Sequence, residues 1–295
     1  MNIQQACRLL GYSKQAYYKN INQKEAQSFD EYLIIELIHQ KRLIWKRGSG
    51  RNLLASLKKD FELHHIKIGR DRFFDLLRRH GLLIKKRNRR ARTTNSYHFF
   101  HRYPNRIKDV VPQRSNQIWV SDITYIWIKQ EECFVYLFLI TDMYSRKIIG
   151  YSVRKDLKAD GAIIALKMAI KHSGKKLLNS TTHHSDRGIQ YCCYEYINIL
   201  KEKNIIISMT ENSDPLENSI AERVNRTIKE EFMDNYKTGY PSIKMALTQI
   251  PENIKFYNHT RPHRSIEMLT PNQAYGKTGL LERKWKNYTK KNLIN

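Results

Sequence analysis

The sequence lacks the features that mark secreted and membrane-embedded proteins. It holds only four cysteines, none in CxxC spacing and none in a disulfide framework, which is the usage expected in a reducing cytosol. Its longest apolar run, residues 133–140, is too short to cross a bilayer. No charged segment followed by an apolar one opens the chain, so no signal peptide is predicted. We therefore expect a cytoplasmic protein with no membrane partner.

Acidic residues are scarce. The 28 Asp and Glu side chains stand against 53 Lys and Arg, which gives a net charge of +25. The excess is concentrated in residues 1–114, where 26 basic side chains accompany only 9 acidic ones. A membrane-surface role would need an amphipathic anchor or a lipidation site, and neither motif is present. Charge of this size and sign favours binding to a polyanion, most often nucleic acid, and by itself leaves RNA-binding proteins open.

The first 92 residues are predicted to be helical. Two short helices separated by Gly11, the second capped by Ser13, follow the order of a helix-turn-helix. A longer helix is expected to end at Gly48, Ser49 and Gly50, and two more helices follow it. The predicted helices cover residues 4–10, 13–20, 30–45, 51–61 and 71–80.

The helix over residues 71–80 has the pattern of a DNA-recognition helix. Arg72 and Arg79 are seven residues apart and share one face, and Gly81 suits the position that ends the helix. A buried face opposite a basic one is what such a helix needs, because it packs on its own domain while touching phosphates. An ordinary surface helix with solvated charges is the alternative. The apolar face consists of Phe73, Phe74, Leu76 and Leu77.

Six cations follow within eight residues, over residues 85–92. A run of this kind is usually solvated, but here it joins a predicted DNA-binding region to the next domain. We interpret it as a linker that follows the phosphate backbone, and residues 93–114 as the rest of the connector. The six cations are Lys85, Lys86, Arg87, Arg89, Arg90 and Arg92.

The remainder of the chain predicts an α/β domain with a mixed sheet. Three strands joined by short turns are followed by alternating helix and strand. The last helix is expected to begin with Asp214 at its N-cap and Pro215 at its first position. The predicted strands cover residues 118–128, 133–141, 146–153, 181–185 and 204–209, and the helices cover 156–173, 191–203 and 214–234.

Three carboxylates in this domain are candidates for a metal site. Asp122 interrupts a strand that is apolar on both faces, where a charge is costly unless it is paired or metal-bound. Asp186 lies just past a short strand, beside Gly188, at the kind of strand end where α/β sheets place chemistry. Glu222 lies in the last helix. Each has a plainer interpretation as a hydrogen-bonded carboxylate, a turn residue or a surface ion pair.

Taken together, the three acids favour a site for hard divalent cations, which take oxygen ligands and keep open positions for water and phosphate. Two such ions can activate an attacking oxygen and stabilise a leaving one at phosphorus. Helical spacing places Asn218, Glu222, Arg226 and Lys229 in one polar stripe. The cations of that stripe would lie where DNA meets the metal centre.

These segments resemble the DDE transposases with a retroviral-integrase-like catalytic core. More narrowly, the chain resembles the OrfB-type transposase of bacterial insertion sequences that are read in two frames. The interval between Asp186 and Glu222 contains 35 residues, the spacing typical of the family. The matching segments are 119–125 (WVSDITY), 184–191 (HSDRGIQY), 208–209 (SM), 217–222 (ENSIAE) and 257–263 (YNHTRPH).

The resemblance implies a ribonuclease-H-like core behind a helix-turn-helix region. It implies two Mg²⁺ or Mn²⁺ ions on Asp122, Asp186 and Glu222, with Asn218, Arg226 and Lys229 near the DNA end. The domains would then be a helix-turn-helix-like segment (1–27), a helical DNA-binding region with a basic tail (28–92), a linker (93–114), an integrase-like core (115–276) and a basic tail (277–295).

The resemblance also implies partners and a reaction. Water cleaves at the element's end, and the freed 3′-hydroxyl attacks target DNA. We expect a homo-oligomer on DNA in the bacterial cytoplasm, associated with the nucleoid, and an upstream-frame DNA-binding partner or fusion. The family usually has Asp before Asn218, and this chain has Glu217. Two alternatives stay open here: a nuclease on the same fold that uses only water, and a helix-turn-helix regulator without catalysis.

Overall fold

The computed structural model describes residues 3–84, 101, 103–211, 217–233 and 239–284, with the side chains of 20–28 and 175–177 left out. The chain forms two compact units. The helical unit consists of residues up to 43 together with 49–84. The sheet unit consists of residues 44–48 together with the chain from 85 onward. The basic run at 85–92 lies outside the described residues.

The helical unit opens with the predicted helix and turn. Gly11 adopts a left-handed φ of +71°, and the Ala16 amide donates to the Ser13 hydroxyl at 3.0 Å, so the second helix is capped as expected. Its helices are α1 (Ile3–Leu9), α2 (Lys14–Ile44, whose last residue belongs to the sheet unit), α3 (Gly50–Ser56), α4 (Lys58–Leu63) and α5 (Arg70–Arg79).

Two helix predictions in this unit are wrong. The helices expected at 13–20 and 30–45 are one continuous α2, because no glycine or proline interrupts residues 14–44 and the polar residues between them are tolerated in a helix. The helix expected at 51–61 is instead the pair α3 and α4, which meet at the fully buried Leu57.

The amphipathic face predicted for α5 is confirmed. Phe73, Leu76 and Leu77 are buried against the rest of the helical unit. Gly81 has a φ of +63°, and the Leu82 amide behind it donates to the Leu77 carbonyl at 2.7 Å, which ends the helix as the glycine predicted.

The sheet unit contains the predicted mixed sheet, with strand order β3-β2-β1-β4-β5. The first three strands are antiparallel, and β4 and β5 run parallel to β1, which therefore lies in the centre. The strands are β1 (Ile118–Ile128), β2 (Cys133–Asp142), β3 (Ile148–Arg154), β4 (Thr182–Ser185) and β5 (Ile206–Met209).

Six helices accompany the sheet in the described ranges: α6 (Ala159–Ser173), α7 (Ile189–Cys192), α8 (Tyr194–Glu202), α9 (Ser219–Phe232), α10 (Ile243–His259) and α11 (Pro271–Tyr275). The helix expected at 191–203 is instead α7 and α8, because Cys193 between them is extended. The last predicted helix begins at Ser219 and not at 214, with Asn218 in the N-cap position. Asp214 and Pro215 lie outside the described residues.

Both faces of the sheet are covered. Trp119 and Phe138 pack on one face against Leu166 of α6 and Tyr196 of α8. On the other face, α9 packs against β1 through Ala221 and its apolar neighbours. A Cβ added at Gly150 of β3 would lie 2.1 Å from the Ala165 carbonyl oxygen of α6, so this helix lies directly on the strand.

Residues 103–114 run along the sheet unit. The Arg106 amide donates to the Ser208 hydroxyl at 2.9 Å, and Ile107 is buried beside β1. None of the described helices is both long and apolar enough to cross a membrane.

Candidate active site

Asp122 lies in the middle of the central strand and is held by two donors. Its Oδ1 accepts the backbone amide of Ile123 at 2.9 Å, and its Oδ2 accepts the side-chain amide of Asn225 at 2.8 Å. Asn225 lies on α9, three residues after Glu222. The carboxylate is therefore oriented by the same helix that carries the third predicted acid.

Asp186 follows β4 and lies beside Asp122 because of the strand register. Val120 of β1 pairs with His184 of β4 in parallel, so two further residues bring Asp122 opposite Asp186. The Gly188 amide donates to Asp186 Oδ1 at 3.0 Å, which shapes the turn after the strand. The prediction that Asp186 lies at a strand end is confirmed.

Glu222 enters the same crevice from the first turn of α9. The start of this helix is tied to β1, because the buried Asn218 donates from Nδ2 to the Ser121 carbonyl at 2.9 Å. That hydrogen bond reaches the residue just before Asp122, so it sets the distance between the helix and the strand that bear the two acids.

Electrostatics show that the three carboxylates share one environment. Burial raises the pKa of Asp122 to about 7, and the negative charges of Asp186 and Glu222 add to the effect, against the hydrogen bonds that lower it. Burial also raises the pKa of Glu222; Arg226 opposes this, and Asp186 reinforces it. Each acid therefore makes it harder to ionise another, a repulsion that a bound cation would relieve.

The donor chemistry of this crevice fits a hard divalent cation. Three carboxylates converge there, and the buried side-chain oxygens of Asn218 and Asn225 have no hydrogen-bond partner among the described residues. In the part of the chain that the structure describes, however, no three His, Cys, Asp or Glu side chains already stand close enough to coordinate one ion. The fit rests on the type and convergence of the oxygen donors.

Two cations of the predicted stripe lie beside the acids. Burial lowers the pKa of the half-buried Lys229, and the charge of Asp122 opposes that effect, which places the ammonium group within electrostatic reach of Asp122. The charge of Arg226 lowers the pKa of Glu222, which places its guanidinium within electrostatic reach of that carboxylate. Asn218 is not part of an exposed stripe, because it precedes the helix and its amide group is bound to Ser121.

The two arginines predicted to contact DNA lie in the helical unit and are exposed on α5. Arg79 donates to Glu31 of α2 at 3.0 Å, and His80 lies 2.7 Å from the same carboxylate. Arg72 is exposed like Arg79, but the contact with Glu31 belongs to Arg79. A role of either residue on DNA stays a prediction.

Behind the trio lies a buried network around His183, whose partners on other elements no local sequence pattern indicates. His183 Nε2 lies 2.6 Å from the Ser121 hydroxyl and 2.9 Å from the Tyr196 hydroxyl. Burial lowers the pKa of His183 to about 3, so the imidazole is neutral at physiological pH. The network holds β1, β4 and α8 together directly behind Asp122.

The far end of α9 is held by an ion pair between the buried Arg261 and the half-buried Glu231. Arg261 donates from Nε to Glu231 Oε2 at 2.7 Å and from Nη2 to Oε1 at 2.6 Å. Trp45, which belongs to the sheet unit and is fully buried, donates from Nε1 to Glu231 Oε2 at 2.8 Å. The helix that carries Glu222 is thus fixed at both ends.

Arg261 belongs to the segment 257–263, and its neighbours serve the same scaffold. The Tyr257 hydroxyl donates to the Arg146 carbonyl at 2.9 Å. Asn258 accepts from the Ile148 amide and donates to the Ile148 carbonyl, both at 2.9 Å. The segment therefore joins α10 to β3 and to α9, and it contributes no side chain to the acidic crevice in the described contacts.

Comparison with known proteins agrees with this arrangement. Two family models, both described as the integrase core domain, match residues 112–215 and 203–271. The InsF transposase of insertion sequence IS3A from Escherichia coli is 31% identical over 203 residues, which cover 68% of each chain. The chain belongs to the insertion-sequence transposases with an integrase core domain. A 31 kDa protein of the insertion element IS600 from Shigella sonnei is 29% identical over 270 residues, or 90% of this chain and 95% of that one.

Membership in this family makes the chain an enzyme of DNA cleavage and strand transfer on a ribonuclease-H-like core. It favours the transposase over the nuclease and the regulator that the sequence left open. Among solved structures, the catalytic core domain of the HTLV-2 integrase, in complex with magnesium, is 19% identical with a TM-score of 0.44, covering 56% of this transposase and 99% of that chain.

Proposed function

We propose that Asp122, Asp186 and Glu222 hold two divalent cations, Mg²⁺ or Mn²⁺, and that this one centre both cleaves the element end and joins it to target DNA. The observation that carries the proposal is the convergence of the three acids: the strand register brings Asp122 beside Asp186, and the charges of Asp186 and Glu222 both act on Asp122. When bound, the two ions would activate the attacking oxygen and stabilise the leaving one.

The chain's own residues would orient this centre and the DNA. Asn225 and the Ile123 amide keep the Asp122 carboxylate in one rotamer, so that its position does not have to be set when DNA binds. Arg226 and Lys229 would contact phosphates at the element end, because they lie beside Glu222 and Asp122. Asn218 would act mainly by holding α9 against β1. A contact between Asn218 and DNA would be of secondary importance.

The helical unit would bind DNA of the element end. Arg72 and Arg79 on α5 are exposed and positively charged, as contacts to phosphates require. The net charge of +25 suits the combined binding of element ends and target DNA. We propose that the protein acts in the bacterial cytoplasm at the nucleoid as a homo-oligomer, with an upstream-frame partner or as a fusion to it.

A joining assay tests the proposal. Purified protein is incubated with labelled element-end duplex, supercoiled target plasmid and Mg²⁺ or Mn²⁺. We expect products shortened at the element end and, in addition, labelled products joined covalently to the plasmid. A pre-cleaved end with a free 3′-hydroxyl is supplied in a parallel reaction. If the protein only nicks DNA and does not join even this end, it is a nuclease, and the proposal is contradicted.

A further inference from the structure

The connection between α2 and α3 belongs to the sheet unit, although the chain before and after it belongs to the helical unit. Residues 44–48, the inserted segment, are grouped with the sheet unit, whereas the chain up to residue 43 and again from residue 49 forms the helical unit. In the inserted segment, Trp45 is fully buried and Gly48 is also buried. Short connections between helices usually run over the surface, so the burial of this one indicates a specific role.

The inserted segment holds the last turn of α9 through two hydrogen bonds to one residue. Trp45 donates from Nε1 to Glu231 Oε2 at 2.8 Å, and the Arg47 amide donates to the Glu231 carbonyl at 2.8 Å. That carbonyl is one of the last four of the helix, which have no partner inside it. The segment therefore completes the hydrogen bonding of the helix that carries Glu222 in its first turn.

Packing fixes the indole ring of Trp45 against α10 and against its own segment. The ring centroids of Trp45 and Phe256 of α10 are 5.7 Å apart, and those of Phe256 and Phe232, the last residue of α9, are 5.9 Å apart. A Cβ added at Gly48 would lie 2.6 Å from the indole ring, so the backbone of the segment lies directly against it. A displacement of the segment therefore reaches α9, because close-packed interiors transmit strain.

Both ends of the inserted segment are anchored at α5 inside the helical unit. Before the segment, Arg42 of α2 donates from Nη2 to the carbonyl of Leu82, which follows α5, at 2.5 Å. After the segment, a Cβ added at Gly50 would lie 2.9 Å from the ring of Phe74, so the first residue of α3 rests directly on α5. This is the helix that carries the two arginines predicted to contact DNA.

We propose that the inserted segment transmits DNA binding by the helical unit to α9, and that Trp45 is the positioning residue through which it sets the place of Glu222. The inference rests on the proposed function, since it needs DNA on α5 and chemistry at the trio. Its path is a chain of contacts from α5 to both ends of the segment, and from the indole N–H to Glu231 and along α9.

Coupling of this kind requires that DNA bind more tightly when the inserted segment is seated on α9. The binding energy of an element end would then help to assemble the catalytic centre, and DNA that the helical unit does not hold would be cut more slowly. The device would favour cleavage at the element end over cleavage elsewhere.

A plainer role for Trp45 is to stabilise the sheet unit by burial, and matched substitutions separate the two roles. Trp45→Phe keeps an aromatic ring but removes the N–H that reaches Glu231, and Gly48→Ala keeps the indole but forces it aside. Trp119→Phe is the control. Trp119 is equally buried and donates from Nε1 to Asn116 Oδ1 at 3.0 Å, and the cluster in which it packs contains no residue of the inserted segment.

The experiment measures hydrogen–deuterium exchange in the last turn of α9 with two duplexes. The short duplex holds only the terminal base pairs of the element end, and the long duplex adds the adjoining sequence. A chelator prevents chemistry, and anisotropy confirms that each protein is saturated. DNA in the crevice protects α9 with either duplex, so the coupling is the extra protection given by the long one. We expect this extra slowing of exchange to be roughly 5- to 150-fold in the wild type.

In Trp45→Phe and in Gly48→Ala, exchange rates with the two duplexes should agree within about twofold, because the coupling is lost. Trp119→Phe should keep the wild-type difference. The proposal is overturned by equal exchange with both duplexes in the wild type, or by a difference that survives in Trp45→Phe or Gly48→Ala. Loss of the difference in Trp119→Phe would also overturn it, because the response would then depend on any buried indole.

The same two duplexes connect the coupling to the reaction. With Mg²⁺, we expect the wild type to join the long duplex roughly fivefold or more faster than the short one, and Trp45→Phe to bring this ratio to about one. Equal slowing of both duplexes by Trp45→Phe would show a merely structural role. A protein that shows the exchange response but joins neither duplex rejects the proposed function alone. One that joins DNA without the exchange response rejects this inference alone.

Discussion

Asp122→Asn is expected to abolish DNA cleavage and joining while making the metal-free protein more stable. Activity should fall by roughly four orders of magnitude, as losses of a catalytic carboxylate do. Stability should rise because the ordinary pKa of an aspartate, 3.8, is raised to about 7 in the fold. The folded state then holds the proton more tightly than the unfolded chain, so this carboxyl destabilises the fold progressively as pH rises from about 4 to about 7 and fully above that.

The measurement is urea unfolding of both proteins with a chelator present, at several pH values between 5 and 8.5. Each unit of pKa difference corresponds to about 1.4 kcal/mol, and partial exposure of the carboxylate reduces the effect, so we expect Asp122→Asn to gain about 2 to 4 kcal/mol at pH 8. The gain should shrink toward pH 5. Glu230→Gln, on the same helix as Glu222, is the control and should change neither activity nor this profile.

An Asp122→Asn protein that still joins DNA would refute the site. Suppose instead that the variant is inactive but its gain in unfolding free energy over the wild type is no larger at pH 8 than at pH 5. That result would show that the Asp122 carboxylate is not held in the repulsive environment described above. The asparagine should be accommodated, because the Asn225 amide can turn and offer the new side chain its Oδ1, which has no partner in the part of the chain that the structure describes.

Arg261→Leu is expected to lose about 3 to 5 kcal/mol of unfolding free energy. The substitution leaves the half-buried Glu231 carboxylate, whose side chain is 19% exposed, without the arginine that donates two hydrogen bonds to it. An unpaired charge in such a largely enclosed site costs more than one on the surface. Removing both charges, as in Glu231→Leu with Arg261→Leu, should recover most of the loss. Equilibrium unfolding in urea at pH 7 measures all three proteins.

Lys277→Ala provides the contrast, since Lys277 pairs with Glu267 at 3.3 Å on the surface, and its loss should cost less than about 1 kcal/mol. If Arg261→Leu costs no more than Lys277→Ala, the ion pair does not clamp α9. The position of Glu222 would then have to be set by the bond from Asn218 to Ser121 alone.

The strands could be predicted from the sequence because their signal is local. The sequence predicts β1 at its observed bounds, because β-branched and aromatic residues fill it from Ile118 to Ile128. The trio could also be found, because a carboxylate inside an apolar central strand is conspicuous. Helix boundaries are harder to predict from local signals. The polar residues between the two predicted helices do not interrupt α2, and α9 begins at Ser219, five residues after the cap signal at Asp214.

The supports of the site could not be predicted, because each joins residues that are distant in the sequence. Asn225 reaches back 103 residues to Asp122, and Trp45 lies 186 residues from Glu231. The register that brings Asp122 beside Asp186 depends on a parallel pairing that no local pattern specifies. The one local signal for Asn225 is its spacing of three residues after Glu222, which places the two side chains near one another on the helix surface.

The most direct test of the central claim is sulfur substitution at the reacting phosphate. If the trio holds a divalent ion against that phosphate, replacing the metal-facing oxygen by sulfur should sharply slow joining in Mg²⁺, because a hard ion binds sulfur poorly, and Mn²⁺ should restore much of the rate. The rate of joining of the unmodified substrate should differ little between Mg²⁺ and Mn²⁺. Equal slowing of each sulfur isomer in Mg²⁺ and in Mn²⁺ would mean that no metal contacts the reacting phosphate, and would contradict the account.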